Sequence, residues 1–270
     1  MKKFVMFLTS ILPFLVAEMI QYIVVMSFAM FYSFYQRWSN NGLYLLEGNM
    51  IALPKEVLYL CSAAGILVCG IIFFLWYRME TFDEVRVGFR GLLDRKTMSL
   101  FVLLGVGCQF FFTGFMSLLT PFLVKIFSDY SKVLDNLVSG NSFVVLLLTI
   151  IIAPVTEELI FRGVILYRAR QHVTFMGANL LQAILFGIYH GNLVQGIYAG
   201  ILGFLLGVIM NKYKSIAAPI FLHIVINGSA FLTYLLPDGI ISYAVIMIAG
   251  GIAAIIAIFG MKPLFGEEHS

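Results

Sequence analysis

The sequence predicts an all-α, polytopic integral membrane protein of about eight transmembrane helices, a single membrane domain over 1–270 with both termini in the cytosol. Three observations predict it. Of the 270 residues, 61% are hydrophobic and 11% charged, and the mean hydropathy is +0.99. A soluble domain carries about a quarter charged residues, and a water-soluble core of this size cannot hide so much apolar surface, so lipid is the solvent. Windows of about 20 apolar residues, the length that crosses a bilayer core, recur at 4–32, 56–77, 98–127, 142–168, 174–190, 193–211, 215–235 and 240–261. The basic residues then segregate by side. Of the 17, twelve fall on one side: Lys2, Lys3, Arg78, Arg86, Arg90, Arg95, Lys96, Arg168, Arg170, Lys212, Lys214 and Lys262. The opposite side has Arg37, Lys55, Lys125 and Lys132.

The first window begins like a signal peptide, with two lysines and an apolar run. The run continues past Glu18 to about Tyr32, and Leu15 makes a poor small-residue cleavage site. It reads as an uncleaved anchor that is also the first helix. Phe31, Tyr32, Phe34, Tyr35 and Trp38 at its outer end form an aromatic interface belt. Between the second and third helices, Phe82, Val85, Phe89, Leu92 and Leu93 have helical spacing, although Gly88 and Gly91 weaken a helix. A helix lying in the interface and a plain polar loop both fit. Cys61, Cys69 and Cys108 lie in apolar runs; an odd, scattered set is neither a disulfide framework nor a zinc ribbon, so they are small core residues. These first 141 residues supply topology only. In the sixth window Gly196, Gly200, Gly203 and Gly207 fall on one face, a spacing that lets helix backbones approach closely. The net charge of +3 gives no reason to expect nucleic acid as a partner.

The fourth, fifth and seventh windows, together 142–235, carry the residues that apolar helices do not need. Ionisable groups at membrane depth are costly and are functional candidates. Glu158 and Arg162 are at i, i+4 in the favourable order for an ion pair, which gives them a structural explanation. Glu157 points about 100° away from Glu158 and has no basic residue at i±3 or i±4. It needs a partner from another helix, or water. His190 ends the fifth window, and His223 and Asn227 share a face of the seventh. Pro154 and Pro219 precede these polar residues and can bend their helices, with the freed carbonyls tolerated beside a cavity or neighbouring helix. By a rise of ~1.5 Å per residue, Glu157 lies ~16 Å and His223 ~12 Å from the cytosolic end. His190 comes out at ~26 Å counted from Val173, or ~17 Å if the fifth helix enters the membrane late, near Asn179.

The set EExxxR (Glu157, Glu158, Arg162), FxxxH (Phe186, His190) and HxxxN (His223, Asn227), in this order on late membrane helices, resembles the CAAX protease and bacteriocin-processing family. That family contains the Ras-converting CAAX endopeptidase of eukaryotes. The likeness covers about 145–230. It implies an intramembrane glutamate-type endopeptidase with no obligatory metal or other cofactor. Carried over, Glu157 is the general base, helped by His190. His223 and Asn227 form the oxyanion hole, and Glu158 with Arg162 braces the base. Peptide hydrolysis needs such a base, a proton for the leaving amine and donors for the oxyanion.

Three other readings stay open. Glu157, His190 and His223 offer a His₂Glu set for zinc with an open fourth position, though the chain lacks HExxH. Intramembrane Glu and His also mark proton relays and transporters, but no inverted repeat is visible. A non-catalytic scaffold of the same fold is the third. The expected partner is a peptide or protein substrate at the membrane, lipidated or not, besides the bilayer itself. The short loops and lysine-led N-terminus fit a multi-pass protein of a bacterial plasma membrane.

Overall fold

The computed structural model describes residues 8–39, 55–81, 94–122, 142–233 and 235–261. Every regular element among them is helical. A short 3₁₀ turn, Thr9–Ile11, leads into α1 (Leu12–Ser39); α2 is Lys55–Glu80 and α3 is Arg95–Leu119. α4 runs without a break over 142–170, and its winding changes along the way. Then come α5 (Phe175–Tyr189), α6 (Leu193–Tyr213), α7 (Ala217–Thr233) and α8 (Ile240–Gly260). Each coincides with one predicted window to within a few residues, except α1, which starts and ends later, and α3, whose window runs to 127 while residues 123–127 lie outside the described ones. The segment 82–93 lies outside the described residues.

Five helical stretches are long and apolar enough to cross a membrane: Thr9–Tyr35, Val57–Glu80, Arg95–Phe122, Leu193–Tyr213 and Ile240–Gly260. The chain is a multi-pass membrane protein. α5 and α7, with 15 and 17 residues, reach only ~22 and ~26 Å at 1.5 Å per residue, short of a ~30 Å hydrocarbon core. Large apolar side chains such as Phe31, Ile71, Ile241 and Phe259 are exposed on α1, α2 and α8, as lipid-facing surfaces require.

Local chemistry sets the corners. Asp94 caps α3 through Thr97 N–H, and Thr174 caps α5 by accepting from Gly177 N–H. α5 ends at His190, where Gly191 takes φ +65°, a left-handed conformation that glycine adopts without cost. Asn192 then caps α6 by accepting from Gln195 N–H. This tight corner fixes His190 at the end of its helix. α5 itself starts at Phe175, four residues before Asn179.

α4 is the central helix: every residue from Leu159 to Leu166 is buried. Around it lies one apolar core, which includes Phe73 of α2, Phe161 and Ile165 of α4 and Phe186 of α5. A second core joins α3, α6, α7 and α8 through Phe101, Leu206, Leu222 and Ala257. The glycines of α6 face α5, as their spacing predicts. A Cβ on Gly203 would stand 2.8 Å from the Phe186 ring and 3.2 Å from Arg162 Nη2. Cys61, Cys69 and Cys108 are buried and unbridged.

Candidate active site

The two glutamates occupy a short α-helical segment, Ala153–Glu158, between two π-helical stretches, Leu148–Ile152 and Leu159–Leu166. Such wide turns are uncommon and concentrate at functional sites. The first has a visible cause and consequence. Ala153 N–H reaches back five residues to the Leu148 carbonyl. The next step of that ladder would run from residue 154 to Thr149, and Pro154 has no N–H to make it. Asn227 of α7 fills the place, its Nδ2 donating to the Thr149 carbonyl at 2.9 Å. That nitrogen keeps a second hydrogen.

Glu158 and Arg162 form the ion pair their spacing predicts, 2.8 Å apart and both fully buried. His223 joins them. Its Nδ1 lies 2.8 Å from Glu158 Oε1, the oxygen that Arg162 Nη1 also meets, and its Nε2 lies 3.6 Å from Glu157 Oε2. A carboxylate oxygen that already accepts from Arg162 accepts again here, which places a proton on Nδ1. The imidazole thus stands between the two adjacent carboxylates. The Glu157 side chain is 14% exposed where Glu158 has no exposure at all. The 3.6 Å gap between Nε2 and Glu157 Oε2 exceeds a direct hydrogen bond.

Phe186 ties the rings together. It is buried, with the Arg162 guanidinium 4.5 Å over its centroid, a cation–π contact. His190 and His223 pack edge-on to the same ring at 4.9 and 5.8 Å. This is how His190 joins the site. Its Nδ1 bonds the Phe186 carbonyl at 2.8 Å, and among the described residues no hydrogen bond or ion pair links it to Glu157.

Two participants escaped the sequence reading. The Gly203 carbonyl on α6 accepts from both Arg162 Nη2 and Gln182 Nε2, each at 2.9 Å. Gln182 also donates to Asn179 Oδ1 at 2.7 Å, and Asn179 Nδ2 to the Phe204 carbonyl at 3.0 Å. Both side chains are fully buried. Their signal was present: two amides three residues apart in an otherwise apolar helix share a face and need partners there. The three residues of the zinc alternative, Glu157, His190 and His223, do not form a metal-binding cluster among the described residues.

A helical membrane protein with a buried carboxylate–imidazole–carboxylate chain is the class that fold and site define. Comparison with known proteins narrows it. Residues 139–229 match the family described as "Type II CAAX prenyl endopeptidase Rce1-like", so the resemblance carried by the three motifs is borne out over that segment. "Putative membrane peptidase YdiL" of Bacillus subtilis (strain 168) is 31% identical over 87 residues, which are 32% of this chain and 36% of that protein. The aligned part thus spans little more than a third of that relative's length. No solved structure matches.

Proposed function

We propose that this protein is an intramembrane endopeptidase that hydrolyses a peptide bond with a glutamate-activated water, in the manner of CAAX proteases. The observation that carries the reading is the His223 ring set between Glu158 and Glu157. Glu157 takes a proton from water, and the hydroxide adds to the peptide carbonyl. The carbon–nitrogen bond then breaks and the amine leaves with the proton that Glu157 took from the water. Arg162 and Glu158 hold Nδ1 protonated and the ring oriented, the role a buried carboxylate plays behind a catalytic histidine. Asn227 keeps one amide hydrogen for the oxyanion, and His223 offers Nε2–H when its ring is charged. His190 assists Glu157 from across the Phe186 ring.

The substrate in this reading is a membrane-associated peptide or protein, reached from the cytosolic face or from lipid. The family description supports a prenylated C-terminal tail as the first class to try; bacteriocin self-immunity is the other role in view, with a bacterial plasma membrane as the setting. The test is comparative peptidomics of membranes carrying wild type or Glu157→Gln. Uncut substrates should accumulate with Glu157→Gln, whereas identical profiles would favour a non-catalytic scaffold.

A zinc-dependent version is the second reading. One observation favours it: both histidines anchor Nδ1 on an oxygen acceptor, as zinc-binding histidines do. Metal analysis of the purified protein, with cleavage measured after chelation, separates the two. Full activity in metal-free protein sinks the zinc version.

A further inference from the structure

The expected oxyanion donors are partly spent. His223 commits Nδ1 to Glu158, and Asn227 commits one amide hydrogen to Thr149. A tetrahedral oxyanion is best served by donors fixed before the reaction begins. Another side-chain donor stands about one turn of α4 from Glu157.

Tyr189 ends α5, next to His190. Its ring packs edge-on against Phe161 at 5.4 Å, and Phe161 lies four residues beyond Glu157 on α4. Phe161 in turn meets Phe186 at 5.0 Å, the ring that carries both histidines. The Tyr189 hydroxyl oxygen accepts from Gln21 Nε2 of α1. That bond uses a lone pair and leaves the hydroxyl hydrogen, for which the described residues provide no acceptor. Glu157 and Phe161 are at i, i+4 on one face of α4, so the Tyr189 ring packs one helical turn from the Glu157 carboxylate.

We propose that Tyr189 is a further catalytic residue of this site: its hydroxyl, aimed by Gln21, donates its hydrogen to the oxyanion that forms beside Glu157. Gln21 is then a positioning residue, and α1 takes part in the chemistry by holding it. The assignment rests on the peptidase reading. It also explains why a polar amide sits at membrane depth in α1, where lipid gives it nothing to bond.

The experiment uses the full chain in nanodiscs and an internally quenched peptide ending in a farnesylated CAAX tail. Tyr189→Phe removes one oxygen and keeps the ring contacts. It should lower kcat by about 10²-fold, the cost of deleting one oxyanion donor, with KM within about threefold, as for an interaction made only in the transition state. Gln21→Leu should lower kcat by a smaller factor, because the hydroxyl stays but is no longer aimed. Packing alone predicts no loss confined to kcat. If Tyr189→Phe cleaves at the wild-type kcat, the assignment is overturned while the peptidase reading stands. If wild type is silent on the peptide and its membrane peptidome equals that of Glu157→Gln, both fall.

Discussion

Two helix pairs in this protein are held by opposite means. α3 and α8 meet backbone on backbone: a Cβ on Gly107 would stand 2.8 Å from the Gly250 carbonyl, and one on Gly250 would stand 2.6 Å from the Gly107 carbonyl. α4 and α7 meet through polar side chains, His223 between two glutamates and Asn227 on the Thr149 carbonyl. Lipid tails are as apolar as leucine, so association in a membrane rests on close packing or on hydrogen bonds. Packing places no demand on chemistry. A buried charged chain is a costly way to hold helices together, because each member depends on the others. On the proposed function, α3 and α8 are scaffold and α4 and α7 carry the chemistry.

The strongest way to break that division is Glu157→Gln. It should cost about 10³-fold in kcat, within the range for a lost general base, and leave the unfolding midpoint where it was. A large drop in the midpoint would make Glu157 a structural group. Next comes Arg162→Ala, which takes the guanidinium from the buried Glu158 and leaves it the His223 ring. It should lower stability by about 3–5 kcal/mol, read as loss of folded protein in detergent. The double change Glu158→Gln with Arg162→Met should recover much of that stability and none of the cleavage. On the scaffold side, Gly250→Leu overfills a backbone contact and should cost about 1–3 kcal/mol. The molecules that remain folded should cleave at the wild-type rate. The smallest effect is expected at the rim, where Arg168 and Glu80 pair at 2.9 Å with both side chains partly exposed. Arg168→Ala should change stability by less than about 1 kcal/mol and turnover not at all.

The sequence made the helices legible because apolar length is a local property. The corner between α5 and α6 has its own local cues, Gly191 and Asn192, which reading by apolar windows did not use. The Glu158–Arg162 pair was legible because it is four residues long. Beyond one helix, pattern reading stopped. It identified His223 but not that both ring nitrogens face carboxylates, since this depends on how α7 approaches α4. It measured the depth of His190 along a straight axis, whereas that histidine sits at a corner and reaches the site across the Phe186 ring. It passed over Asn179 and Gln182, although amides in an apolar run are the same kind of signal as the charges it followed. The π-helical turns around the glutamates had one cue, Pro154, which foretold a local disturbance but not the wider winding.

The missing N–H of Pro154 bears on how the molecule is made. Helices leave the ribosome in order, so α4 emerges before α7 exists. Glu158 and Arg162 can neutralise one another at once, within their own helix. The Thr149 carbonyl and Glu157 have to wait until residues 217–233 have been synthesised. Until then α4 carries an acceptor and a carboxylate without their α7 partners. The candidate site is therefore completed late: the chain closes it only when its seventh helix comes back against the fourth.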